Sequence, residues 1–158
     1  MHTEVEKQVK HEEDKELLQL VTFKLYEEEF GIDILRVQEI IRIMQITKVP
    51  NSPEYVEGVI NLRGRVIPVV SLRKRLFLPH IENDNKTRVV VVELSDKTVG
   101  FIVDEVNEVL RIPRSITEPP PEMTAGIDTD FIISVGKLED RLLILLNIEK
   151  LINKTNFE

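Results

Sequence analysis

Three histidines, several acidic clusters, five serines and one arginine-rich stretch are the groups in this sequence whose types and spacing invite chemistry. General acid–base work and most metal sites need an imidazole held at a fixed position. His2 and His11 fall in a polar N-terminal stretch and His80 follows Pro79 in a polar connector, so all three read as surface histidines. The carboxylates Glu12-Glu13-Asp14, Glu27-Glu28-Glu29, Asp104-Glu105 and Asp128/Asp130 are of a type that ligates magnesium or hydrolyses glycosides. They lie in a tail, a hairpin turn, a strand end and a loop, and none has the Asp/Asn-Gly spacing of a calcium loop. Asn61-Leu62-Arg63-Gly64-Arg65 carries one glycine and lacks the lysine of a phosphate-binding loop. Ser52, Ser71, Ser95, Ser115 and Ser134 have no neighbouring histidine and no nucleophile elbow. With no cysteine, thiolate metal sites, disulfides and cysteine nucleophiles are excluded. The inventory points away from an enzyme and assigns no catalytic, cofactor-binding or metal-binding residue.

Arg63, Arg65, Arg73, Lys74 and Arg75 fall within thirteen residues, and on a small barrel such a patch would bind single-stranded nucleic acid. That alternative, a nucleic-acid-binding double β-barrel, needs aromatic platforms beside the arginines. None lies from Val56 to Leu76, and a net charge of -7 repels both nucleic acid and anionic lipid. Protein partners are favoured instead.

The elements that would position these groups are mostly strands. At 158 residues, 42% of them hydrophobic and 31% charged, the chain can bury a core as one ordinary domain or two very small ones. No apolar run approaches the ~20 residues of a membrane span, Leu142–Leu146 being among the longest. The N-terminus has no signal-peptide core, so a cytoplasmic protein without direct membrane insertion is expected. Residues 1–16 are read as a flexible arm. Val21, Phe23 and Leu25 then alternate with polar neighbours, the period of a half-buried strand. Phe30 to Ile34 returns after an acidic turn, and Ile40 to Val49 reads as a third strand. Ser52 and Pro53 suit a helix start that Gly58 soon ends. Val66 to Val70 is a strand whose Pro68 implies a sheet edge, and Ser71 caps a turn of helix in which Leu72 and Leu76 share a face.

The pattern then begins again. A shift of 69 residues sets FGIDILRVQEIIRI (30–43) against VGFIVDEVNEVLRI (99–112), and a shift of 76 sets RVIPVVSLRKRL (65–76) against RLLILLNIEKLI (141–152). Each of the latter is an arginine, a strand, a capping Ser71 or Asn147, and an amphipathic helical turn. The offset changes across a longer loop, Pro113 to Asp130. The expected fold is mainly β: two small β-barrel subdomains packed together, with short helices. The expected division is an arm at 1–16, barrels at 17–84 and 85–146, and a C-terminal helix at 147–154 packing on them. Units of roughly 60 residues are marginal alone, so a shared interface is expected.

From Leu17 to Ile152 the sequence closely resembles the CheW family of bacterial chemotaxis coupling proteins. The resemblance rests on FGIDILRVQEIIR, on NSPEYVEGVINLRGRVIPVVSLRKRL, and on VGFIVDEVNEVL and RLLILLNIEKL, in family order and spacing. It implies five-stranded SH3-like barrels and a non-enzymatic adaptor without a cofactor. The implied partners are the regulatory domain of the histidine kinase CheA and the cytoplasmic hairpin tip of chemoreceptors, which would recruit the chain to the inner face of the membrane. It places Arg63 at a receptor-contact position, where a guanidinium beside Gly64 can meet a carboxylate or carbonyl. It also places Ile34, Val89, Gly100 and Val103 in a receptor groove between the barrels. Ordinary core is the alternative for these four, because alternation does not separate groove from interior. Val37, Glu39 and Gly58 match kinase-interface positions, with Gly58 allowing close backbone approach.

Overall fold

The computed structural model describes residues 16–121 and 127–153. Residues 1–15, nearly all of the expected arm, lie outside them, as do His2, His11 and Glu12-Glu13-Asp14. Strands β1 (Leu17–Leu25), β2 (Glu28–Asp33) and β3 (Val37–Arg42) are followed by the hairpin β4 (Val56–Leu62) and β5 (Arg65–Ser71), then helix α1 (Leu72–Arg75). The series repeats as β6 (Arg88–Leu94), β7 (Lys97–Val103), β8 (Glu105–Pro113), a two-residue β9 (Thr117–Glu118), β10 (Ile132–Leu138), β11 (Arg141–Leu146) and helix α2 (Ile148–Asn153).

Two sheets form, and each mixes the repeats. One runs β8-β1-β2-β11-β10-β9 and the other β3-β6-β7-β5-β4. Under the 69- and 76-residue shifts the two orders are the same, each first hairpin joining the third strand and last hairpin of the other repeat. The irregularities repeat as well. The ladder of β3 with β6 slips between Val37 and Glu39, and that of β1 with β8 slips between Val106 and Glu108. The hairpins slip between Val56 and Gly58 and between Ile132 and Ser134. A bulge is a specific backbone device, so its recurrence at matched positions supports a duplication more strongly than side-chain similarity does.

Each sheet curls closed. After β3, Thr47 and Val59 exchange backbone hydrogen bonds of 2.9 and 2.8 Å, and after β8 the short β9 pairs with β10. The expected third strand at 40–49 is thus β3 at 37–42 plus this single bridge. The expected helix at 52–58 is absent. Ser52 Oγ donates to the Val49 carbonyl at 2.8 Å instead of capping, and the β4 ladder takes residues from Val56 on. Nor is β5 an edge, since it lies between β4 and β7. Val59 turns its N–H and carbonyl toward Thr47, so the missing N–H of its partner Pro68 points away from β4. There the β7 ladder begins only at Val69, and the proline breaks no bond.

The expected boundary between residues 84 and 85 falls inside the second sheet, between β5 and β6. Its barrel draws β3, β4 and β5 from the first repeat and β6 and β7 from the second. Packing follows this exchange. Among the described residues, the largest buried cluster contains 21 residues drawn from both sheets and both helices, against five and four in the separate barrel interiors. Phe23, Phe30 and Phe101 sit in that common core, so burial, the main favourable term in folding, is concentrated between the barrels.

Candidate docking surface

The β4–β5 hairpin turns through Arg63 and Gly64, with φ of 53° and 85°. Two positive φ values in a two-residue loop make a turn whose twist matches the strands it joins. Asn61 Oδ1 accepts the Gly64 N–H at 2.9 Å and holds the turn in shape. On that support the Arg63 side chain is 71% exposed, and its guanidinium pairs with Glu39 Oε2 on β3. The other oxygen, Glu39 Oε1, is buried and has no hydrogen-bond partner among the described residues.

The positions assigned to two different partners are therefore tied together. Arg63, matched to receptor contact, is ion-paired with Glu39, matched to kinase contact. Ile34 and Val37, again one of each, are joined across a turn of 3-10 helix by the Val37 N–H donating to the Ile34 carbonyl. That turn carries the chain from one barrel to the other, and Asp33 Oδ1 fixes it by accepting the Leu35 N–H at 2.9 Å.

Three of the groove residues are interior. Val89 and Val103 are buried, Val89 inside the second barrel and Val103 in the common core. A Cβ on Gly100 would stand 2.7 Å from Val89 Cγ1, so Gly100 lets two strands of one barrel pack rather than presenting backbone outward. This is the core alternative that alternation left open. Gly58, at φ +146° in the bulge, is likewise approached by its own chain, because a Cβ there would run into the Thr47 carbonyl. Ile34 alone of the four groove positions reaches a cleft. The cleft holds about 360 Å³ and is lined by Leu17, Leu18, Leu20, Ile133 and Leu145 as well. Leu35, 87% exposed at its rim, was missed by sequence reasoning, since the alternation simply stops there and no polar residue marks the exposed side.

The arginine-rich stretch is not one basic patch. Arg73 and Arg75 are buried, and Lys74 pairs with Glu57 at 2.8 Å. Arg65 donates to Thr98 Oγ1 at 3.0 Å. At the matched end of the first barrel, Arg141 donates to Glu108 at 3.0 Å and lies 3.3 Å from Glu29. The hydrogen bond to Glu108 and the charge of Glu29 raise its pKa above the ordinary arginine value. Among the described residues no cluster of His, Asp or Glu is arranged to hold a metal ion, and no helix is long and apolar enough to cross a membrane.

A family model for the CheW-like domain matches residues 19–156. The chain is 38% identical over 135 residues to the chemotaxis protein CheW of Klebsiella aerogenes, covering 85% of this chain and 81% of that one. It is 37% identical to the CheW of Helicobacter pylori, covering 92% and 87%. It is similar in structure to the scaffolding protein TtCheW from Thermoanaerobacter tengcongensis, with a TM-score of 0.80 at 39% identity, over 86% of this chain and 88% of that one. A family model over most of the chain, relatives of this identity and coverage, and a shared fold place the chain in the CheW-like family.

Proposed function

We propose that this chain is a chemotaxis adaptor that joins the cytoplasmic hairpin tip of chemoreceptors to the regulatory domain of the histidine kinase CheA. The observation that carries the reading is Arg63, an exposed guanidinium on a turn preset by Asn61 and Gly64. Such a group loses little freedom on docking and offers a planar fork to a receptor carboxylate or carbonyl. Ile34, with the exposed Leu35 beside it, supplies apolar area. Val89, Gly100 and Val103 act from behind, setting the barrel wall on which the contact residues stand. Val37 and Glu39 serve the kinase side, and Gly58 shapes the bulge near it.

Holding both partners on one small body raises the effective concentration of each for the other, so two modest contacts give one assembly. The adaptor brings no chemistry of its own, and receptors recruit it to the inner face of the membrane.

Co-purification with the CheA regulatory domain and with a receptor hairpin fragment tests this directly. Both are expected to be retained. Arg63→Ala is expected to abolish receptor capture, with the melting temperature nearly unchanged, because the arginine of this ion pair is exposed and such pairs contribute only ~0–1 kcal/mol. Normal receptor capture by that variant would remove Arg63 from the contact, and failure to retain either partner would overturn the adaptor reading.

A further inference from the structure

The chain crosses between barrels at two points that the repeat makes equivalent, and among the described residues an ion pair joins the barrels at one of them. At the β7–β8 crossover, Asp104 Oδ1 accepts Arg73 Nε at 2.7 Å and Oδ2 accepts Arg73 Nη2. The same Oδ2 accepts the Tyr26 N–H at 2.9 Å, and the Asp104 N–H donates to the Lys24 carbonyl at 3.1 Å. Arg73 belongs to α1 on the second barrel, and Tyr26 and Lys24 to the β1–β2 hairpin of the first. Arg73 is 7% exposed and also donates to the Pro79 carbonyl. Two residues further along the same short helix, buried Arg75 lies over the rings of Tyr55, from the second barrel, at 4.7 Å and Phe131, from the first, at 4.4 Å.

At the matched crossover the residues are of another kind. The 69-residue shift places Leu35 where Asp104 stands and Tyr26 opposite Ser95, while the 76-residue shift places Glu149 and Leu151 where Arg73 and Arg75 stand. Leu35 and Glu149 are exposed, and Leu151 is buried in the common core. One side of the joint is therefore held by directional, charge-assisted bonds and the other by apolar packing.

These two kinds of contact respond differently to a change of angle. Apolar surfaces slide with little change in buried area, whereas a bidentate guanidinium–carboxylate pair is satisfied at one geometry. Separating a buried pair also leaves an uncompensated charge. We infer that Arg73 and Asp104 are positioning residues that lock the angle between the barrels, with the α2 side as the pivot. Their effect is to fix the relative placement of surfaces on the two barrels, whichever partners dock there.

The absence of cysteine makes a direct test available, because introduced cysteines label uniquely. Spin labels at Lys137→Cys on β10 and Val66→Cys on β5 report the distance between barrels, and labels at Val66→Cys and Lys97→Cys report within one barrel. Arg73→Met and Asp104→Asn are each expected to broaden the distance distribution between barrels while the distribution within the barrel stays as in the parent. Hydrogen exchange at the Tyr26 amide should quicken by about tenfold or more, with the Val59 amide unchanged, as expected for local opening. Asp104→Glu, which keeps the charge, should restore part of the narrow distribution. An unchanged distribution between barrels in both variants overturns the inference, and so does equal broadening within the barrel, which would mean general loosening of the fold.

Discussion

At the scale of single residues, two glycines separate structural from docking roles. Gly58 adopts a φ that side chains rarely reach and faces the Thr47 carbonyl, so Gly58→Ala should cost more than the ~1–3 kcal/mol of backbone strain alone, because its Cβ would also displace that carbonyl at the barrel closure. Thermal denaturation would read this, and loss of kinase binding in that variant would then follow from a displaced bulge rather than from a lost contact. Gly100→Ala should cost about 1–3 kcal/mol by overpacking against Val89. Val89→Ala removes the colliding methyl, so the double variant should be more stable than the sum of the two changes allows, a coupling of about 0.5–3 kcal/mol in a mutant cycle. Strict additivity would show that the two residues do not press on one another.

At the scale of elements, the helix caps and the hairpin turn are where local sequence acts most directly. Ser71 Oγ accepts the Lys74 N–H at 3.3 Å and Asn147 Oδ1 accepts the Lys150 N–H at 3.1 Å, as the repeat led us to expect of both residues. Ser71→Ala and Asn147→Ala should each cost about 0.5–2 kcal/mol in chemical denaturation, additively, because the caps share no partner. Asn61→Ala removes the acceptor of the Gly64 N–H and should lower stability by about 1 kcal/mol. Its larger expected effect is on receptor capture, which should weaken although Arg63 remains, since the turn no longer holds the guanidinium in one place. The expected helix at Ser52 failed for a reason on the same scale. A capping residue and a proline start a helix only where the chain downstream is free, and here it enters the β4 ladder at Val56.

At the scale of the whole molecule, the exchange of strands makes the barrels inseparable. Residues 17–84 contain β1 and β2 without the β8, β10 and β11 that complete their sheet, and three strands of the other barrel without β6 and β7. Expressed alone, neither 17–84 nor 85–153 should show a cooperative melting transition, whereas the full chain should melt in one step, because its largest core spans both sheets. A cooperative transition in either fragment by itself would contradict a stability rooted in the common core.

Much of this protein is legible from residue order alone. The repeat, the strand rhythm around Val21–Leu25, the caps at Ser71 and Asn147 and the family are all local or periodic properties, carried by neighbouring residues. Strand partnership is not of that kind. A period of two states which residues share a face, but not which strand lies beside them or whether that face meets solvent. Only the tertiary structure decided that β1 pairs with β8, that Val89 and Val103 are core while Leu35 is bare, and that Asp104 holds an arginine where its counterpart Leu35 holds nothing equivalent. The physical reason is that these contacts join residues far apart in the chain, and what stabilises them is burial and charge pairing between surfaces that no local window contains.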